Sequence, residues 1–291
     1  MARPDPGTAV TRDLASQAVT DLMPLEGDPP ALRLLPLLPS GWTVEQRSAA
    51  SLWLKHVVVQ FGWPAKRVTW IDVDPTHAAP AAVLGQLAQD AAAPDVKLAA
   101  LVVAFASHID QDTVDDWAAR GLLFAAARPQ GLVPGEGAAG LLLADVRLAH
   151  TREGTAGVVL EPGVDARRDA SADQTKRIDS KVLADLAERA CKQANIEVGQ
   201  LAMVIADTDE RANRVLELKG FVSAAMSQLD DASDVACIGA GSGSCGAVPY
   251  VAALALAREQ AIVRGGPVLC VSNDDPYVRC VALVRPAVLA S

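Results

Sequence analysis

The chain has 291 residues, enough for one large domain or two joined halves, and its 51% hydrophobic content with only 4% aromatics implies an α/β core packed by small side chains. A formal charge of −9 argues against nucleic acid and anionic membrane surfaces as partners. No apolar run reaches the ~18 residues of a membrane span, and no charged leader precedes an apolar core, so the expected location is the cytoplasm.

The five cysteines (Cys191, Cys237, Cys245, Cys270 and Cys280) mostly sit in apolar contexts without a Cys-x-x-Cys pair, as buried reduced thiols do. The four histidines (His56, His77, His108, His150) lie far apart, so spacing supports neither a metal site nor a cofactor.

Residues 1–42 hold many prolines and little apolar periodicity, with the apolar stretch 32–38 broken by Pro36. They read as a surface arm, and a partner-binding arm is the sharper version of that reading. The N-terminal half, residues 43–150, opens on a helix whose capping box is Thr43 with Gln46. Ala49, Ala50, Trp53, Leu54, Val57, Val58 and Phe61 form one helical face, and Gly62 and Pro64 end it. A strand is predicted over residues 68–73, ending at Asp74, then a helix over 79–88 and a strand over 98–106. Residues 131–140 carry four glycines and Pro134 and read as a tight irregular turn. Glu136, its one charge, is expected to accept backbone N–H bonds between Gly135 and Gly137. Residues 140–144 follow as a buried strand.

A polar linker, residues 151–180, is expected to run over the surface, with 157–161 as an edge strand. The C-terminal half, residues 181–291, repeats the plan. A helix spans residues 182–194 and a strand 201–206, ending at Asp207; then come a helix over 246–262 and strands over 267–272 and 279–285. A constant offset of 133 residues lays the helix and strand that end at Asp207 on those that end at Asp74, which reads as an internal repeat. Thirty-eight positions separate Asp207 from Cys245, against a handful between Asp74 and its helix, which reads as a deletion in the first half. Apolar strands alternating with helices imply sheets covered on both faces.

The Pro-Gly-Glu-Gly-Ala-Ala stretch at 134–139 and its strand resemble the Gly-Glu-Gly-Ala-Gly segment of β-ketoacyl synthases, in the thiolase superfamily. Residues 239–246, Gly-Ala-Gly-Ser-Gly-Ser-Cys-Gly, resemble that family's Gly-His-Thr-x-Gly-Ala-Ala-Gly turn. The resemblance implies a thiolase-like, duplicated α-β-α-β-α layered fold, shortened. Its structural motif is Gly135, Glu136, Gly137, Gly239, Gly241, Gly243 and Gly246.

The resemblance also implies a cysteine nucleophile at a helix N-terminus in the first half, where no cysteine precedes residue 191 and His77 or Thr76 stands instead. Asp207 stands in place of the first family histidine and Ala240 in place of the second. The terminal Gly-Phe-Gly-Gly oxyanion loop corresponds to residues 272–277, Ser-Asn-Asp-Asp-Pro-Tyr, whose carboxylates oppose an oxyanion. Cys245, at the start of a helix where the dipole lowers a thiol pKa, is the remaining covalent candidate, with His77 and Asp207 as further catalytic candidates. The apparent deletion coincides with the family segment that leads into the nucleophile and supplies the dimer edge.

The chain therefore resembles a degenerate β-ketoacyl synthase-like protein, similar to the thiolase-like accessory proteins encoded beside type VI secretion effectors. The expectation is a non-catalytic scaffold, an adaptor or chaperone, that binds a protein partner. The alternatives are a minimal β-ketoacyl synthase-like acyltransferase and a non-catalytic subunit pairing with an active ketosynthase.

Overall fold

A computed structural model describes residues 29–71, 83–85, 87, 98–145, 148, 157–173 and 178–287. Two sheets and three sets of helices alternate in layers. The first sheet contains β1 (Ala31–Leu37), β2 (Val68–Trp70), β3 (Leu98–Ser107) and β4 (Glu136–Ala144), in the order β2-β1-β3-β4. β1 runs parallel to β2 and β3, and β4 runs antiparallel to β3. On its outer face lies α1 (Val44–Gln60), whose Leu54, Val57 and Val58 pack with Leu32, Leu34, Leu101 and Val103. The predicted capping box is present: Gln46 N donates to Thr43 Oγ1 at 3.2 Å and Thr43 N to Gln46 Oε1 at 2.8 Å.

The second sheet is ordered β5-β10-β9-β7-β8, with β6 also on β10. Its strands are β5 (Val158–Leu160), β6 (Val164–Arg167), β7 (Met203–Ala206), β8 (Val235–Cys237), β9 (Val268–Ser272) and β10 (Val278–Pro286). β7, β8 and β9 are parallel, and β10 is antiparallel to β9, β5 and β6. Two helices, α3 (Lys181–Gln193) and α4 (Ala212–Ala225), cover its outer face through Leu183, Leu186, Leu218, Phe221 and Val222. Here α2 (Gln111–Ala119) is the exposed helix after β3. Between the sheets lies α6 (Val248–Arg264), buried against β3 and β4 on one side and β7, β9 and β10 on the other. Helical residues 83–85 and 87 share that middle layer. The expected layered α/β fold is therefore the observed one.

Several boundaries differ from the sequence reading. Ala31–Leu37, expected within the arm, is an interior strand of the first sheet. Pro36 is accommodated because β1 pairs with β2 only over Leu32–Leu34, so its missing N–H falls beyond that ladder. Residues 1–28 and His77 lie outside the described residues. β4 begins at Glu136, so half of the predicted irregular turn is strand, and Glu136 accepts from Ser107 Oγ at 3.1 Å rather than from backbone. The described part of the linker does not simply run over the surface, and its expected edge strand is present as β5. Its β5 and β6 join the second sheet, and Arg168, Ser171 and Ala172 are buried. Residues 238–242, expected as turn, form the short helix α5 (Ile238–Ser242).

Sheet order also replaces the repeat. β1 occupies the place of β7, β2 that of β8, β3 that of β9 and β4 that of β10. By order along the chain α1 then corresponds to α4, not to α3 as the offset of 133 residues implied. The apparent deletion disappears with it: residue 83, already helical, lies 46 positions beyond the end of β1 (83 − 37), whereas α6 begins 42 positions beyond the end of β7 (248 − 206), so the first half is not the shorter.

Candidate functional site

Three loops from the second half converge at the C-terminal ends of β7, β8 and β9. They are residues 207–211 after β7, α5 after β8, and residues 273–277 after β9. Gly239 and Ala240 lie against the first of them. Ala240 N donates to Thr208 O at 3.1 Å, and a Cβ on Gly239 would stand 2.2 Å from Asp207 O. The two positions at which the resemblance implies histidines, Asp207 and Ala240, are thus adjacent, with Ser272 and Asn273 beside them.

Asp207 is fully enclosed. Ser272 Oγ and Asn273 N (2.9 Å) donate to its carboxylate, and Asn273 is held by Thr208 Oγ1 and by Arg214 O. Burial, reinforced by the Asp274 carboxylate, pushes the Asp207 pKa up to about 7. The carboxyl is thus buried, held by its neighbours and absent from the lining of the adjoining cleft, rather than presented to a substrate.

The chemistry around it is a carboxylate–guanidinium cluster that the sequence reading missed. Arg211 binds Asp209 through Nε (2.7 Å) and reaches the Asp274 carboxylate and carbonyl. Arg214, completely buried, binds Asp173 Oδ1 at 2.7 Å and Asp274 O at 3.2 Å. Deeper in, Glu217 receives Arg279 Nε at 2.9 Å on both oxygens and also pairs with Arg168. Asp274 and Asp275, expected to oppose an oxyanion, instead neutralise Arg211 and cap the turn: Asp275 Oδ1 accepts from Tyr277 N (2.6 Å) and Val278 N (2.7 Å). The missed signal was the spacing of Arg211, at the N-cap of α4, with Arg214 and Glu217 on the helix face that also carries Leu218 and Phe221.

Cys245 lies just before α6 but is fully buried, its Sγ 3.6 Å from Gly243 O. Burial raises its pKa, so the expected lowering by the helix N-terminus is not what the site produces. Cys270 and Cys280 are likewise raised by burial, the latter to about 12.

The glycine motifs serve contact between the halves. A Cβ on Gly135 would fall 1.9 Å from Ser242 O, and Gly243, at φ +66°, faces Val133 and Pro134 carbonyls. Ser244 N donates to Val133 O at 2.7 Å, while His108, at the end of β3, bonds Ser244 O through Nδ1 at 2.8 Å. Gly137 abuts Val248, Gly246 has φ +64°, and Gly241 has open space around it. A small cleft beside this junction is lined by Val133, Asp209, Arg211, Gly239, Gly243 and Ser244 and has room for about one enclosed water molecule. Among the described residues no group of three or more His, Cys, Asp or Glu is placed to hold a metal ion, and no helix is long and apolar enough to cross a membrane.

No protein-family profile and no curated protein sequence matches the chain. Solved structures do. A type II polyketide ketosynthase in complex with its acyl-carrier protein superposes with a TM-score of 0.65 at 12% identity, over 95% of this chain and 84% of that one. A variant of OleA from Xanthomonas campestris gives 0.60 at 16% identity, over 94% and 82%. An oxazolomycin ketosynthase domain of Streptomyces albus gives 0.58 at 12% identity, over 89% of this chain but only 55% of that one. The chain thus spans about half the length of that ketosynthase domain. Together with the layer order and sheet topology, these similarities establish that the chain has a thiolase-like, ketosynthase-type fold.

Proposed function

We propose that the chain is a non-catalytic thiolase-like scaffold that binds a protein partner. The observation that carries this is the content of the ketosynthase-like site. Asp207 and Ala240 replace the implied histidines, and the groups around Asp207 are bonded to one another rather than presented to a substrate. Cys245 is buried with a raised pKa, which leaves it protonated at neutral pH and a poor nucleophile. The resemblance to accessory proteins encoded beside type VI effectors points to an adaptor or chaperone of a secreted effector as the specific role.

The test is intact-mass spectrometry after incubation with acyl-CoA and acyl-carrier-protein thioesters, followed by affinity capture against the products of neighbouring genes. A folded protein without adduct that retains one stoichiometric partner agrees with the proposal. An acyl adduct on Cys245, lost together with thioester turnover in Cys245→Ala, replaces it with the acyltransferase reading.

A further inference from the structure

The two sheets share the order of four strands but are unequally covered. Leu34 pairs with both Trp70 and Leu101, and Ala206 with both Cys237 and Val271, so Leu101 and Val271 hold equivalent positions. Leu101 pairs onward with Leu142, and Val271 with Val281. Leu142 therefore corresponds to Val281, and Ala144 to Leu283. Val281 and Leu283 are 0% and 1% exposed, clustered with Leu183 and Leu186 of α3. Leu142 is 44% exposed and Ala144 is exposed too. In the second half α3 and α4 share the outer face. In the first half α1 takes the place of α4, and among the described residues no helix takes the place of α3. The open face belongs to an uncharged strand, Gly-Ala-Ala-Gly-Leu-Leu-Leu-Ala after Glu136, and no described strand pairs with its outer edge. Such an edge invites association unless something covers it.

The chain itself holds a segment of matching pattern. In α3 the apolar positions are Val182, Leu183, Leu186, Ala187, Ala190 and Cys191. Ahead of β1, Leu14, Ala15, Ala18, Val19, Leu22 and Met23 repeat that spacing at one constant offset. The offset falls between the one that relates β2 to β8 and the one that relates β1 to β7. Ser16, Gln17, Thr20 and Asp21 fill the intervening polar positions. We propose that the docking surface over Leu142 and Ala144 takes residues 13–23 of this same chain, seated by their apolar stripe as α3 is seated over Val281 and Leu283. This inference is independent of the proposed function.

The test is thiol labelling of Leu142→Cys in the full-length protein, with half-buried Cys237 in the second half as the internal folding control. The expected result is slow labelling in the parent variant and labelling at least about tenfold faster after adding Val19→Asp or Leu22→Asp. Gln17→Glu, on the polar side, leaves the rate unchanged. Labelling that is fast from the start, or insensitive to Val19→Asp, overturns the proposal. So does protection that depends on protein concentration, which assigns the face to a second copy. Hydroxyl-radical footprinting of Leu142 itself, with and without Val19→Asp, decides the matter should Leu142→Cys fail to fold.

Discussion

Asp207 stands where the resemblance implies a histidine, and its environment makes it a titrating element of stability rather than of catalysis. Its folded-state pKa of about 7 lies above the ordinary carboxylate value of 3.8. Between those two pH values the folded state holds a proton that the unfolded state has lost. Stability therefore falls as pH rises through that window, by about 1.4 kcal/mol per pH unit at most. Urea denaturation at pH 5 and pH 8 should show the loss at pH 8, and Asp207→Asn should flatten the difference; equal slopes in the two proteins would refute the assignment. Gly135 and Gly241 give a second contrast at this scale. Gly135→Ala drives a methyl into a backbone carbonyl that cannot yield, and is expected to lower stability by about 2 kcal/mol or more. Gly241→Ala meets open space inside α5 and should change stability by no more than about 1 kcal/mol, in the stabilising direction. Paired melting curves distinguish them. Sequence alone placed both glycines in motifs but could not rank them, because a close backbone approach leaves no mark on either residue's own neighbours in the chain.

Helix α4 is among the elements the sequence reading missed, with α2, β6 and β8, and in its case the cluster it carries is the reason. Its buried positions include Arg214 and Glu217 as well as Leu218, Phe221 and Val222, so its inward face does not look apolar. Glu217 binds two buried guanidinium groups, and Glu217→Gln would leave Arg168 and Arg279 with uncompensated charge. A loss of about 3–5 kcal/mol in unfolding free energy is expected; a variant as stable as the parent would show that water reaches the cluster and relieves it. By contrast α1, α3, α6, β3, β7, β9 and β10 were legible, because each has a plain apolar stripe or run bounded by turn residues. β1 was not, because Pro36 and Pro39 resemble loop composition, and only the end of the β2 ladder at Leu34 shows why Pro36 is tolerated in a strand paired with β3.

For the molecule as a whole, periodicity revealed a duplication but aligned it wrongly. In an alternating α/β chain any amphipathic helix followed by an apolar strand resembles any other such unit. Sheet order is what tells them apart, and sheet order comes from contacts between residues far apart in the chain. Composition and glycine motifs sufficed for the layered fold. They could not show that the site region is filled by internal salt bridges, since ion pairs between α4 and its N-cap, the segment after β6, β10 and the loop after β9 join residues far apart in sequence. The middle layer has a consequence of its own. Because α6 packs on both sheets, the core of each half includes the same helix. The duplication is therefore not a division of the fold: no single cut in the chain leaves two finished interiors. Each outer layer can drift in sequence while answering to one sheet, whereas α6, which buries Val251, Leu254 and Ala257, must satisfy two sheets at once, and substitutions at its buried positions should be the least tolerated in the molecule.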